Sequence, residues 1–454
     1  MKIVFIVLRT VYYRHFGPLI AEGLKRGYII ECWHDYRHSK EGMKGDLFPN
    51  IEESPFYDLG HDNLIFRKIN IESDYESLIL EYKDVDYYVS LHPLTKANFS
   101  INSRIIKQLC GKWCIVMHGP DTFIEMKHFE DLLYYNYEPL FFVRSDFSYN
   151  YGRAWLEKFY PGKAPFLTQN RTQAISIGTT MHSQYNKSID TNELRRKYGI
   201  PAGKNILIYL PFPYLSSRYD NKEYGWQAAY AGLYINEFIH RKQGRKTFRI
   251  RNWFFVLKKK LDCLKQALAS YETRKWLFNG WSEPAVIGAV RRFCDKNNLH
   301  LVVKSRRKFP FPEHVYNNAD VVIDDDESQQ YPSKLQELFS IAELTIGCVS
   351  SAVLESIYHE VPFVNLEIPE SVFQDEDSRY WNDYGKGSMY NYPGAVYNIS
   401  VPRMISEFGE IDKSGVKMDQ EVRKRYMEKF TGPELPTATE KFYEILESQP
   451  QPVV

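Results

Sequence analysis

Short continuous runs of apolar residues recur along the chain, and segments with helical character separate them. The first run, residues 1–8, is followed by a polar loop at 9–17 and a helical segment at 18–27, which has proline in its first turn and glycine at its end. A second apolar run covers residues 28–33. Runs this short and rich in β-branched residues are typical of strands buried in parallel sheets, and such a βαβ unit has a right-handed crossover. The pattern predicts an α/β fold.

The same alternation continues along the 454 residues, which are too many for one ordinary hydrophobic core. Polar residues 183–204 are predicted to be a linker with a short helix. We expect an N-terminal domain over 1–182, a C-terminal domain over 205–418, and charged helices with a short tail over 419–454. The order indicates two doubly wound, Rossmann-like domains that face each other across a cleft. The further predicted strands are residues 85–91, 112–117, 140–145, 174–177, 205–210, 300–304, 320–323, 344–347 and 362–366.

Composition excludes several classes of protein. The chain has 58 Lys and Arg against 57 Asp and Glu, a balance that argues against a dedicated nucleic-acid binder. Hydrophobic residues at 44% and charged residues at 25% exclude wholesale disorder. Six cysteines are scattered along the chain without a histidine cluster, which indicates reduced, mostly buried thiols rather than a zinc site.

The apolar N-terminal run does not resemble a signal peptide, because Arg9 ends it too early and no small-residue cleavage site follows. No apolar stretch is long enough to span a bilayer. We therefore expect a cytoplasmic protein that is either soluble or peripheral on the inner face of the cell membrane.

The most specific local motif follows the predicted strand at 344–347. That strand ends in Gly347, Ser350 and Ser351 stand where a helix begins, and Glu355 lies one turn further along. Amide groups at a helix N-terminus, together with two hydroxyls, suit an anionic phosphate, and a carboxylate at 355 is suited to accept both hydroxyls of a ribose. The alternative is an ordinary helix N-cap with a solvated glutamate.

This strand–Ser-Ser–helix–Glu arrangement, with Pro362 after the helix, resembles the donor-nucleotide motif of GT-B glycosyltransferases of the bacterial surface-polysaccharide type. Residues 195–213 are similar to the start of the C-terminal half of those enzymes, and residues 15–18 resemble their first βα loop. Glycine-rich first loops are common in these enzymes, whereas here only Gly17 is present. The resemblance covers both halves apart from residues 214–281. Nucleotide-sugar 2-epimerases and polyol-phosphate transferases share the fold and similar motifs.

The resemblance implies that a nucleotide-sugar donor binds the C-terminal half and the acceptor binds the N-terminal half. Ser350, Ser351 and Glu355 would then hold phosphate and ribose. Lys304, Arg306 and Lys308 follow a strand at its carboxyl end, where ligands bind in open α/β sheets, and could neutralise a diphosphate leaving group in place of a metal. A solvated basic turn is the alternative. Ser333 and Lys334 precede a helix and are weaker candidates for the base pocket.

No metal and no cofactor beyond the nucleotide-sugar co-substrate are expected. The acidic run at 324–327 could suit Mg²⁺ or Mn²⁺, but consecutive acids point in different directions, and a solvated loop is the preferred interpretation.

Inverting sugar transfer needs a base that takes the proton of the acceptor hydroxyl. Candidates at strand-end loops of the N-terminal half are His15, His92, His118 and Asp121, and we favour His15 and Asp121 because their loops should face the cleft. For each of them, a structural polar role remains the alternative.

Residues 214–281 interrupt the second domain just after its first strand and are expected to form a helical insertion. Between 241 and 261 lysines and arginines alternate with tryptophan and phenylalanine. This composition suits an element held at an anionic membrane surface, which would bring the enzyme to a lipid-linked acceptor. A helical excursion packed on the domain is the other open interpretation, and a nucleic-acid patch is disfavoured.

Together these features predict a glycosyltransferase that moves a sugar from a nucleotide-sugar to a glycan or lipid-linked acceptor in surface-polysaccharide synthesis. The alternatives are a 2-epimerase or polyol-phosphate transferase on the same fold, or a non-catalytic sugar- or membrane-binding protein.

Overall fold

Two parallel sheets organise the protein, for which we analysed a computed structural model. The structure describes residues 1–7, 12–35, 51–69, 84–91, 112–118, 140–161, 173–182, 190–211, 283–304, 313–323, 333–348, 350–367, 385–432 and 436–449, and the single positions 77, 80, 261, 380 and 383. The predicted insertion at 214–281 therefore lies outside the described residues except for Leu261.

The strands are β1 (Lys2–Val7), β2 (Ile29–Asp35), β3 (Leu64–Ile69), β4 (Tyr87–Ser90), β5 (Trp113–Val116), β6 (Leu140–Val143), β7 (Gln173–Ser176), β8 (Ile206–Leu210), β9 (His300–Lys304), β10 (Val321–Ile323), β11 (Ala342–Gly347), β12 (Phe363–Glu367) and β13 (Val396–Ser400). The helices are α1 (Tyr13–Lys25), α2 (Asp146–Phe159), α3 (Thr191–Lys197), α4 (Glu283–Lys296), α5 (Glu313–Asn318), α6 (Lys334–Phe339), α7 (Ala352–Tyr358), α8 (Val401–Glu407), α9 (Gln420–Thr431) and α10 (Ala438–Ser448).

The first sheet has the strand order β3-β2-β1-β4-β5-β6-β7, and its neighbouring strands are parallel. The chain winds outward from β1 in one direction and then, after β3, in the other. The side chains of β1 are fully buried from Ile3 onward, as expected for a strand whose two faces are both covered.

The second sheet repeats this plan with the order β10-β9-β8-β11-β12-β13, again with parallel neighbours. Its central strand β8 is continuously apolar, and residues 206–209 are fully buried. Two doubly wound Rossmann-like sheets were predicted, and both are confirmed.

Helix α1 begins earlier than the sequence predicted. The predicted polar loop at 9–17 is wrong for residues 13–17, because Tyr13 starts the helix and Pro18 lies inside it rather than in its first turn. The reason is packing: Tyr13, Phe16 and Ile20 recur at helical spacing and are buried in the core of the first sheet.

The chain divides into two compact units, one formed by residues 1–187, 327–334 and 425–454 and the other by residues 188–326 and 335–424. The predicted C-terminal helix pair is present as α9 and α10. Helix α10 completes the core of the first unit, where Phe442 and Tyr443 are fully buried. The Tyr443 hydroxyl donates to the main-chain oxygen of Leu19 at 2.6 Å, so α10 is held against α1.

Four of the six cysteines lie in the described residues, and Cys32, Cys114, Cys294 and Cys348 are all buried free thiols, as the sequence predicted. Burial raises the pKa of the Cys294 thiol to about 12, so this sulfur is protonated at neutral pH. Within the part of the chain that the structure describes, no helix has the length and apolar character needed to cross a bilayer.

A buried carboxylate binds three strands of the first sheet together. Glu31 on β2 is fully buried and accepts hydrogen bonds from Arg67 Nε at 2.7 Å and from Trp33 Nε1 at 3.0 Å, and Lys2 Nζ lies 3.1 Å from its other oxygen. Burial alone would raise the pKa of Glu31, but these donors outweigh it and hold the pKa below its usual value.

We expect Glu31→Gln to destabilise the fold most at neutral pH. Because the pKa of Glu31 is lower folded than unfolded, its charge stabilises the fold above the unfolded pKa of about 4.5 and loses this effect as the pH falls further. The variant should lose about 3 kcal/mol of unfolding free energy at pH 7 and markedly less at pH 3.5. Urea unfolding at both pH values, with exposed Glu428→Gln as control, measures this. An equal loss at the two pH values would contradict it.

Candidate functional site

The carboxyl ends of the strands carry most of the predicted site residues that the structure describes. In an open parallel sheet, ligands bind outside these ends, at the point where the strand order reverses. That point lies between β1 and β4 in the first sheet and between β8 and β11 in the second.

Two predicted candidate bases meet at the edge of the first sheet. His118 lies two residues beyond β5, and His15 lies in the first turn of α1, which follows β1. Their ring centroids are 5.8 Å apart with an interplanar angle of 79°, an edge-to-face contact. His15 is 9% exposed and His118 is partly exposed, so solvent reaches only part of the pair.

This pair can act on protons. Imidazole is the side chain whose ordinary pKa lies near neutrality, and it is the commonest general base in enzymes. Two adjacent imidazoles can share the tasks of accepting a proton and fixing the orientation of the ring that accepts it. The geometry therefore suits proton abstraction from a hydroxyl group.

The position of His118 is set by the strands beside it. Met117, which precedes it, is buried, and its amide donates to Phe142 O on the neighbouring strand β6 at 2.8 Å. The guanidinium of Arg144, the residue after β6, donates to the main-chain oxygen of His118. The sequence analysis did not identify Arg144, because nothing in the chain marks an arginine that follows a strand as a partner of a histidine 26 residues earlier.

At the edge of the second sheet, Lys304 on β9 and Gly347 on β11 lie at the same level of the strand register, with Leu210 of β8 between them. Leu210 at the end of β8 pairs with Gly347 of β11, and Tyr209 pairs with Val303, which places Lys304 beside Leu210. Since neighbouring strands lie about 4.8 Å apart, Lys304 and Gly347 are roughly 10 Å apart across β8. Lys304 is 6% exposed. Gly347 has no room for a side chain, because a Cβ there would lie 2.8 Å from the Phe363 ring.

The Ser-Ser turn differs in detail from the arrangement that the sequence suggested. Ser350 is buried, and its hydroxyl accepts from the amide of Ala352 at 3.3 Å, while the amides of Val353 and Leu354 donate at 3.0 Å to the carbonyls of residues 350 and 351. The first-turn amides thus have acceptors within the chain, and a phosphate would have to compete for them. Ser351 is the exposed hydroxyl of the motif, and Glu355 is buried at 3% exposure.

The other end of α7 is held by an arginine that the sequence analysis missed. Arg423 on α9 is 6% exposed, and its Nε and Nη2 atoms donate to the carbonyls of Ile357 and Tyr358 at 2.8 and 2.6 Å. These are the last two carbonyls of the helix, and that of Ile357 also accepts from the Glu360 amide at 3.1 Å. A cation at a helix C-terminus also interacts favourably with the helix dipole.

The remaining predicted residues divide into two groups. Ser333 is fully buried and Lys334 partly buried at the start of α6, and both group with the first unit. The others lie outside the described residues: His92, Asp121, Arg306, Lys308, the acidic run 324–327 and most of the basic segment 241–261. Among the residues that are described, no three His, Cys, Asp or Glu side chains come close enough to hold a metal ion.

Comparisons with known proteins establish the fold. No protein-family model and no curated protein sequence matches the chain. The wall teichoic acid polymerase TagF matches it in structure with a TM-score of 0.51 and 12% sequence identity, over 98% of this chain and 88% of TagF. A histidine-to-asparagine variant of TagF soaked with CDPG matches with a TM-score of 0.51 and 11% identity over the same shares.

A glycosyltransferase from Rickettsia africae is similar over 98% of this chain and 97% of its own, with a TM-score of 0.47 and 11% identity. Together with the two doubly wound sheets, the match to TagF shows that the chain has the GT-B fold. The fold that the resemblance implied is confirmed.

We expect Arg423→Met to loosen α7. The substitution removes two charged donors from the end of the helix, while the Ile357 carbonyl keeps its bond from the Glu360 amide. We expect this loss to lower the free energy of unfolding by about 3 kcal/mol. Arg425→Met, on the exposed side of the same helix, is the matched control and should change it little. Chemical denaturation of both variants measures the difference, and equal stability of the two would show that the Arg423 contacts contribute nothing.

Proposed function

We propose that the protein is a glycosyltransferase that moves a sugar from a nucleotide-sugar donor to a hydroxyl of a glycan or lipid-linked acceptor. The observation that carries the proposal is the His15–His118 pair, which lies at the ligand-binding edge of the first sheet of a GT-B fold. The acceptor is assigned to this unit, and the diphosphate and ribose of the donor are assigned to the second.

The proposed chemistry needs one base and one group that neutralises the leaving diphosphate. An imidazole of the histidine pair takes the proton of the acceptor hydroxyl, whose oxygen attacks the anomeric carbon. The bond between that carbon and the diphosphate oxygen breaks, and a nucleoside diphosphate leaves. Asp121, outside the described residues, remains a predicted alternative base.

On the donor side we assign the exposed Ser351 hydroxyl and Lys304 to the diphosphate, and Ser350 to shaping the turn that presents Ser351. A cation fixed at the end of β9 stabilises the charge that develops on the leaving group, which is the task that a metal performs in other enzymes. Arg306 and Lys308 directly follow β9 and are predicted to add to this charge. Glu355 remains the proposed ribose contact, Ser333 and Lys334 remain proposed base contacts, and the reaction is proposed to need no metal.

The second candidate is transfer of a polyol phosphate from a CDP-linked donor. The likeness to the TagF variant that was soaked with CDPG favours it over the remaining alternatives. In this reaction the hydroxyl oxygen attacks phosphorus rather than carbon, and CMP leaves. The same base would serve, so the two candidates differ in the donor and not in the histidine pair.

The proposed cytoplasmic location and the attachment of residues 241–261 to an anionic membrane surface rest on the sequence. Binding of the purified protein to vesicles that contain anionic lipid, and its loss at high salt, would support the membrane attachment.

Replacing either histidine should abolish most of the transfer activity without removing donor binding. His118→Ala and His15→Ala are each expected to lower kcat by about 100-fold or more, because the hydroxyl loses its proton acceptor or the group that orients it. The exposed His61→Ala is the matched control and should retain full activity. Donor turnover with labelled nucleotide-sugars and CDP-polyols, under saturating donor, measures kcat. Wild-type rates in both histidine variants would refute the proposal.

A further inference from the structure

We propose that Arg144 is a positioning residue that fixes His118 in its contact with His15. The contact itself follows from the packing of the first unit, and its expected effect on catalysis rests on the proposed function. Arg144 acts through the main chain of His118 and is not proposed to contact the acceptor.

The register of the first sheet places Arg144 next to His118. Strands β5 and β6 are parallel neighbours in which Val116 pairs with Phe142. Two residues further along, His118 and Arg144 stand at the same level beyond the strand ends. The pairing of the strands therefore brings Arg144 beside His118, and its guanidinium donates to the His118 main-chain oxygen.

Arg144 is itself held in place by its neighbours. It is 7% exposed, and its own carbonyl oxygen accepts from the amide of Gly178 at 3.0 Å and from the Ser176 hydroxyl at 3.5 Å. Gly432, just beyond α9, packs directly on that oxygen with φ at +83°, and a Cβ at this position would collide with it. The main chain of Arg144 is thus enclosed on the side away from His118.

An arginine side chain is suited to holding the His118 carbonyl. Burying a guanidinium costs desolvation energy that an apolar residue would not, so a buried arginine needs a compensating role. The planar guanidinium of arginine donates in fixed directions, whereas a lysine ammonium does not. A guanidinium can therefore hold a carbonyl in one orientation. Fixing the carbonyl fixes the peptide plane at His118 and with it the place of the Cβ atom from which the ring reaches His15.

The experiment compares Arg144→Met and Arg144→Lys with the wild type. The probe is the NMR signal of the Cε1–H group of the His118 ring in histidine-labelled protein, and it is assigned by its loss in His118→Gln. Because the His15 ring lies edge-to-face with the His118 ring, the chemical shift of this group reports the position of the His118 ring relative to His15. We expect this signal to move or broaden in Arg144→Met and to return partly towards the wild-type position in Arg144→Lys. In the transfer reaction kcat should fall about 10- to 100-fold in Arg144→Met, with the donor KM unchanged and with partial recovery in Arg144→Lys.

Arg423→Met is the matched control, since Arg423 is equally buried and also donates to main-chain carbonyls, but in the second unit. It should lower stability and leave the His118 signal in place. If Arg144→Met does not fold, Arg144→Lys carries the test. A wild-type His118 signal and wild-type kcat in the folded Arg144 variants would overturn the inference. A shifted His118 signal in a chain without transfer activity would support the positioning role and reject the proposed function.

Discussion

Parallel pairing of short buried strands determines where the described candidate functional groups of this protein lie. Because neighbouring strands run in one direction, each loop that follows a strand emerges at the same edge of its sheet. Residues far apart in sequence meet there, as His15 and His118 do in the first sheet. In the second sheet, the same rule places Lys304 and the turn after Gly347 at the same edge and at the same level of the register. Function in such a fold depends on what the loops place at that edge.

The helices at the end of the chain act as supports for these edges. Helix α10 closes the core of the first unit, and Tyr443 bonds it to α1, the helix that carries His15. Helix α9 provides Arg423 at the end of α7 and is followed by Gly432, which packs on Arg144. Buried arginines are used in both places to hold main-chain carbonyls, which an apolar core could not orient. Helices α9 and α10 and Gly432 therefore stabilise the elements that present the candidate groups.

The sequence predicted the buried parts of this fold and little beyond them. Strands such as β1 and β8 are continuous apolar runs and were located to within a residue or two, whereas β3 and β13 were missed. Both are outermost strands of the described sheets, and β3 is mostly only partly buried, so neither has a continuous apolar pattern. The contact of His15 with His118 depends on strand order over 103 positions, which no local pattern encodes. The motif at 350–355 was recognisable, but the bonds that occupy its amides depend on turn geometry.

In the proposed reaction, the diphosphate of the donor binds at the carboxyl edge of the second sheet. The most direct measurement is a crystal structure of the protein soaked with the nucleoside diphosphate that stabilises it most in thermal unfolding. We expect phosphate oxygens within hydrogen-bond distance of Ser351 Oγ and Lys304 Nζ, about 3 Å from each. A diphosphate bound elsewhere, with that edge closed by protein side chains, would contradict it.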